Sequence, residues 1–366
     1  NKAVLADLGR FLNATGWKLI WGLNLGTSTP QEAAEEAAAV AEATGDDLLA
    51  LQIGNEPDLY SHNGLRSRNY AYSDYWREFQ RFAQAIRKRL PAVPFAGPDA
   101  ATQTSWAEEF ASGPERPVLL TRHYYAEGPP SSPAATIENL LKPNVRYEEI
   151  LRQLQQISRS ARIPYRIVET NSCFGGGKPG ISDTFASALW GLDYCFSLAA
   201  HEAAGINLEN GINQFGRVSC YSPIYNDEQG MYSARPLYYA MRAFSMTGVG
   251  RRLALESEIS AINFKAYAVR DDRDRTWVTL INKEQGQAVE AAISSSRAFA
   301  SANAIRLMAP SLSSTSGVTL GGATVSNQRG KEGDWRAAGH ERLRVKRGKI
   351  EVHVPASSAA FVELAQ

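Results

Sequence analysis

The stretch LQIGNEPDLY, residues 51–60, decides the fold. An apolar run, the pattern of a strand buried on both faces, stops at an amide, a carboxylate and a proline in succession. A strand ending in Asn55-Glu56-Pro57 delivers a carboxylate to the rim of a sheet, and Pro57 favours an extended backbone at Glu56. In barrels of alternating strands and helices, chemistry gathers at that C-terminal rim. The neighbouring segments agree. WKLIWGLNL (residues 17–25) is another apolar strand, and TSTPQEAAEEAAAVAEATG follows it as a helix. There Thr29 can cap, Pro30 suits the first helical position, Glu32 completes a capping box and Gly45 stops the helix.

The alternation continues. The strand carrying Glu56 begins at Leu48. Tyr75, Phe79, Phe82, Ile86 and Leu90 fall at helical spacing within residues 73–90. Strands are expected over 93–100, 117–126, 165–172 and 205–211. Helices are expected over about 146–160, from a Ser182 cap towards Ala199, and over RPLYYAMRAFSM. Strands alternating with helices imply α/β architecture, a parallel sheet covered by helices. Six such strands are countable, where a closed barrel needs eight. From about residue 250 the texture changes to short alternating runs such as INFKAYAVRD, RTWVTLINKE and KIEVHVPASSAAFVELA. These predict an antiparallel β-sandwich. The expected domains are therefore 1–249 and 250–366, with LSSTSGVTLGGATVSNQRG as a surface loop or edge hairpin in the second.

Composition narrows the function. The chain has 366 residues, 44% of them hydrophobic, and a formal net charge of +1. A near-neutral balance gives no reason to expect nucleic acid or a membrane surface as partner. Three cysteines do not make a disulfide framework. No CxxC or HExxH occurs, so neither a metal site nor a cofactor is expected. No apolar run is long enough to cross a bilayer.

A second carboxylate follows the same logic. RIVETNS places Glu169 at the end of another apolar strand. Two carboxyls on one rim suit glycosidic bond cleavage, one protonating the leaving oxygen and the other attacking or activating water. Asn55 offers an amide to a sugar hydroxyl, and Gln103 is another candidate for such a contact. In HYY, residues 123–125, either Tyr124 or Tyr125 should reach the rim, with His123 as structural support. Phe174-Gly175-Gly176-Gly177 is either an anion-binding run of backbone amides or a turn before a helix. The reading from another class is a non-catalytic carbohydrate-binding protein, which would keep this rim without a competent carboxylate pair.

GNEP on one strand and ETNSCFGGGKPGISDTFA on a later one resemble glycoside hydrolase family 79, which holds β-glucuronidases, heparanases and related hyaluronidases. The resemblance spans residues 17 to about 245 and, more loosely, the terminal domain. It implies a (β/α)8 TIM barrel lacking its first strands in this chain, with a C-terminal antiparallel β-sandwich domain. A separate N-terminal segment would then complete the barrel. It assigns Glu56 as acid/base on strand four and Glu169 as nucleophile on strand seven, with retention of configuration. Gly175 and Gly176 would hold the uronate, touched also by Tyr221. Tyr124 would orient the nucleophile, or Tyr125 if the register shifts by one. Relatives often carry tyrosine where this chain has Phe174, which packs but donates no hydrogen bond. The implied activity is exo β-glucuronidase on glucuronide-bearing saccharides. The alternative is endo, heparanase-like cleavage of heparan sulfate or a related glycosaminoglycan. Secretion or a periplasmic location is the matching expectation.

Overall fold

A computed structural model describes residues 2–211, 219–226, 232–258, 262–325 and 339–365. Helix α1 (Lys2–Thr15) precedes the first strand. A parallel sheet follows, built from β1 (Leu19–Leu23), β2 (Leu48–Ile53), β3 (Phe95–Ala100), β4 (Leu119–Glu127), β5 (Tyr165–Cys173) and β6 (Ile206–Leu208). The six strands lie side by side in chain order, and the pairs from β1 to β4 are parallel. Between them run α2 (Pro30–Thr44), α3 (Tyr72–Arg87), α4 (Ser105–Ala111), α5 (Ile137–Leu141), α6 (Val145–Ala161) and α7 (Phe185–Ala200).

Local chemistry explains these elements. Thr29 and Glu32 form the reciprocal capping box at the start of α2, and Pro30 occupies the first turn. Helix α3 buries Tyr75, Phe79, Phe82, Ala83 and Ile86 on one face. The Phe79 ring meets Phe95 of β3 edge-on at 5.6 Å and Phe110 of α4 at 5.0 Å. Offset and edge-on aromatic packing of this kind adds to simple area burial.

Two expectations are corrected. Glu56 does not end β2 in extended backbone; the strand stops at Ile53 and Glu56 is left-handed, with φ 49° and ψ 49°. Ser182 does not cap α7, which begins at Phe185. Its hydroxyl instead accepts from the Lys178 amide at 2.9 Å and from the Ser172 hydroxyl at 2.8 Å. It ties a turn to the strand before it rather than starting the helix.

A short hairpin, β7 (Ile224–Asn226) with β8 (Tyr232–Ala234), leads into α8 (Pro236–Thr247). The C-terminal strands are β9 (Arg251–Arg252), β10 (Phe264–Arg270), β11 (Thr276–Asn282), β12 (Val289–Ser294), β13 (Ser301–Met308), β14 (Thr319–Leu320), β15 (Glu341–Leu343), β16 (Lys349–Val354) and β17 (Ser358–Ala365). Seven of them form an antiparallel sheet ordered β14-β13-β17-β11-β10-β9, with β15 also on β13; β12 pairs with β16. Phe264, Val278, Leu280 and Val362 of the larger sheet share one core with Ile350, Val352 and Val354 of β16. The end of the segment expected as a loop or hairpin, residues 326–330, lies outside the described residues.

By internal contacts the chain forms two compact units. One comprises residues 1–124, 145–170 and 201–207; the other comprises 125–144, 171–200 and 208–366. Within the second, Asp193 of α7 receives the Lys283 ammonium and the Tyr267 hydroxyl, each at 2.6 Å. Among the described residues, no helix is long and apolar enough to cross a membrane.

Candidate active site

The segment after β2 is shaped by its hydrogen bonds. Gly54 turns the chain with φ 98°, where a Cβ would meet Leu25 Cδ2 at 3.3 Å. Asn55 is exposed. The Glu56 amide donates to the Asp99 carbonyl at 3.1 Å, and the Glu56 carbonyl accepts from Leu59 at 2.9 Å, closing a 3₁₀ turn over Pro57–Leu59. Asp58 then accepts from the amides of Ala101, Thr102 and Gln103 and from the Thr102 hydroxyl, at 2.8–3.0 Å. That carboxylate staples the turn carrying Glu56 to the end of β3. It also fixes the backbone of Gln103, whose side chain lies in an exposed residue.

Three strands converge here. His123 of β4 is buried, with Nε2 2.7 Å from Asp99 Oδ1 and Nδ1 3.0 Å from Glu56 Oε1. The same Nδ1 lies 3.6 Å from Glu169 Oε2 of β5. Glu56, His123 and Glu169 each present an atom within 4.8 Å of the others. Accessibility separates their tasks. The Glu56 and Glu169 side chains are 29% and 27% exposed, whereas His123 and Asp99 are 3% and 2% exposed. Of these four, the two glutamates are the accessible ones, and the imidazole and Asp99 lie behind them.

Burial by itself would push the His123 imidazole down, and it is the largest single influence. The charge and hydrogen bond of Asp99, the hydrogen bond to Glu56 and the charge of Glu169 together outweigh it, holding His123 well above its ordinary range. A cationic ring donates from both nitrogens and has no lone pair left for an ion. Glu56, His123 and Glu169 have the ligand types of a metal site, and a raised imidazole pKa would oppose metal binding through that ring.

Arg122, buried beside His123, donates to the carbonyls of His123 and Thr102 and to the Thr104 hydroxyl. It secures the middle of β4, from which His123 projects.

The two tyrosines after His123 diverge, as strand alternation requires. Tyr124 packs on Tyr147 of α6, with ring centroids 4.6 Å apart. Tyr125 meets Phe174 edge-on at 6.1 Å and Tyr221 at 6.5 Å. The two rings thus have different neighbours, and both tyrosines remain candidates for the rim role. Phe174 is 44% exposed, while Tyr221 is 2% exposed. Gly175, Gly176 and Gly177 all have positive φ, a path strained for any other residue. Cys220 donates its amide to the Gly176 carbonyl at 2.8 Å, and Lys178 Nζ donates to the carbonyls of Ser132 and Ala135 at 2.9 Å. Arg235 donates to the carbonyls of Ser219 and Cys220, bracing the turn that holds Tyr221.

Asp99 and Asp58 were not anticipated from the sequence. The signal for Asp99 was present in the same form as for Glu56: an acid closing an apolar strand, here FAGPDA.

Comparison with known proteins fits this geometry. Residues 259–361 match the model described as the glycosyl hydrolase family 79 C-terminal beta domain. A β-glucuronidase of Aspergillus niger is 26% identical over 405 aligned positions, covering 95% of this chain and 73% of that protein. A β-glucuronidase of Neurospora crassa is 25% identical, over 60% of this chain; the match spans 44% of the Neurospora protein. In fold, the chain is similar to a 4-O-α-L-rhamnosyl-β-D-glucuronidase from Fusarium oxysporum. The TM-score is 0.80 at 18% identity, with 99% of this chain and 79% of that one covered. The C-terminal segment thus resembles a glycoside hydrolase family 79 domain, and the similarity to the Aspergillus β-glucuronidase extends over most of the chain.

Proposed function

We propose that this protein is a retaining exo β-glucuronidase acting by double displacement. The observation that carries the reading is the approach of Glu56 and Glu169 around one imidazole nitrogen, with one carboxylate oxygen of each within 4.8 Å of the other. Retaining enzymes hold their carboxyls about 5–5.5 Å apart, whereas inverting enzymes need roughly 6.5–9.5 Å to seat a water. In the first step Glu169 attacks the anomeric carbon while protonated Glu56 gives its proton to the departing oxygen. In the second, Glu56 takes a proton from water, which displaces Glu169 and restores the starting configuration. In this reading His123 holds the Glu56 carboxyl through Nδ1 at 3.0 Å, with Glu169 Oε2 3.6 Å from the same nitrogen, and enters neither step.

Recognition of the uronate by Gly175, Gly176 and Tyr221 belongs to the same proposal and is supported by the family resemblance. Tyr125 and Phe174, whose rings meet edge-on, are further candidates for contact with the sugar. Asn55 and Gln103, both exposed, are candidates for hydroxyl contacts.

The reading of the parallel sheet as part of an eight-stranded barrel, and of the terminal domain as a β-sandwich, is supported by the fold similarity and the strand order. In that barrel a further strand–helix segment would pair with β1, the edge of the sheet as described.

Replacing Glu169 by Gln tests the assignment. Turnover of 4-nitrophenyl β-D-glucuronide should fall on the order of 10⁴-fold, with glucuronate binding retained. Hydrolysis near the wild-type rate would overturn the proposal. The exo reading fails separately if the wild-type protein shortens heparan sulfate without releasing monosaccharide.

A further inference from the structure

Asp99 touches no position a substrate could reach, yet it holds Glu56 from two sides. Its main-chain carbonyl accepts the Glu56 amide at 3.1 Å, which stabilises the left-handed backbone of that residue. Its carboxylate accepts from His123 Nε2 at 2.7 Å, and the opposite nitrogen of that ring meets the Glu56 carboxylate at 3.0 Å. One residue therefore sets both the root and the tip of the same side chain. The arrangement is costly. Asp99 is 1% exposed, it lies where the β3–β4 register shifts, and its own φ is 65°, a region that strains non-glycine residues. Its amide is in turn held by the Thr121 hydroxyl at 3.0 Å. A buried carboxylate in strained backbone is expensive, and packing alone gives no reason for it.

We infer that Asp99 is a positioning residue for acid catalysis: through its carbonyl and through His123 it aims the Glu56 carboxyl at the leaving oxygen. This rests on the glucuronidase reading above and adds to it a group that touches neither substrate nor reacting atoms. A carboxyl displaced by about 1 Å can cost on the order of 10²-fold in rate. The loss should depend on how much the leaving group needs a proton, which a general loosening of the fold would not produce.

The test compares Asp99→Asn with wild type on two aryl glucuronides by kcat/KM, which reports the glycosylation step. With 4-nitrophenyl or poorer leaving groups, the variant should lose about 10²-fold. With 2,4-dinitrophenyl, which departs without protonation, it should stay within a few-fold of wild type. Equal loss on both substrates, or no loss on either, would overturn the inference. If Asp99→Asn does not fold, as judged by circular dichroism and the thermal midpoint, Thr121→Val carries the same test. It removes only the support of the Asp99 amide, and a smaller split in the same direction is expected; an absent split overturns the inference. The Glu169→Gln control keeps the two claims apart. If that variant is active, the glucuronidase reading has failed; if it is inactive while Asp99→Asn shows no split, only the positioning role has failed.

Discussion

Strand β16 of the C-terminal sheet alternates strictly. Lys349, Glu351 and His353 face solvent, while Ile350, Val352 and Val354 enter the core. Strand β4 of the parallel sheet buries Leu119 to His123 without a break, and its last three buried residues are Thr121, Arg122 and His123. The first pattern is what packing rewards. The second places a guanidinium and an imidazole out of water, which costs free energy unless each is paired. Both are paired, the arginine to carbonyls and the histidine to carboxylates. Strand β16 is thus built by alternating apolar burial, whereas β4 buries three polar groups in succession beside the two glutamates. Mutations in the two places should therefore fail differently, one through rate and the other through stability.

The largest effect expected of that contrast lies at Glu56. Replacing it by Ala should slow hydrolysis of poor leaving groups by roughly 10²–10⁴-fold. Added azide should restore turnover of an activated aryl glucuronide by forming β-glucuronyl azide, visible by NMR. An α-azide, or no rescue, would break the assignment of Glu56 as acid/base. On the other side, Phe361 of β17 is 1% exposed among apolar neighbours. Phe361→Ala should cost roughly 3–5 kcal/mol of stability. Its denaturation midpoint should drop while kcat/KM, measured well below that midpoint, stays at the wild-type level. A large change in kcat/KM would blur the distinction between the regions.

The smallest effect concerns the charge state of His123. Its folded pKa is raised, so the stabilisation it brings is complete below the unfolded value near 6.5 and is lost only as pH rises through the higher folded value. At about pH 7.5 an unperturbed histidine is mostly neutral. Nitrogen-15 NMR of labelled histidine should still show both His123 ring nitrogens protonated there. A neutral tautomer at that pH would contradict a raised His123 pKa.

How much of this was legible in the sequence follows from how local each signal is. The α2 cap could be read because Thr29, Pro30 and Glu32 act on one another within a single turn. The neighbourhood of Glu56 and Glu169 could be read because each follows an apolar run, although Glu169 lies within β5, which continues to Cys173, rather than at the strand end expected. The backbone of Glu56 could not. The rule for residues before proline is statistical, and here the Asp99 carbonyl and a 3₁₀ turn override it. Ser182 looked like a cap because any serine before a helix does; whether its oxygen faces the helix or Lys178 is decided by tertiary structure. Tyr124 and Tyr125 face opposite ways because side chains alternate along a strand, so a one-residue register decides which ring neighbours each meets. Asp99 had the same signature as Glu56, but its partner His123 lies on the next strand, and nothing in the linear sequence joins the two.

The central claim is that Glu169 attacks the sugar. Incubation with 2-deoxy-2-fluoro-β-D-glucuronyl fluoride, followed by peptide mass spectrometry, tests it most directly. The account predicts one fluoroglucuronyl adduct per chain, on Glu169. An adduct on Glu56 or elsewhere, or an active enzyme that forms none, would contradict it.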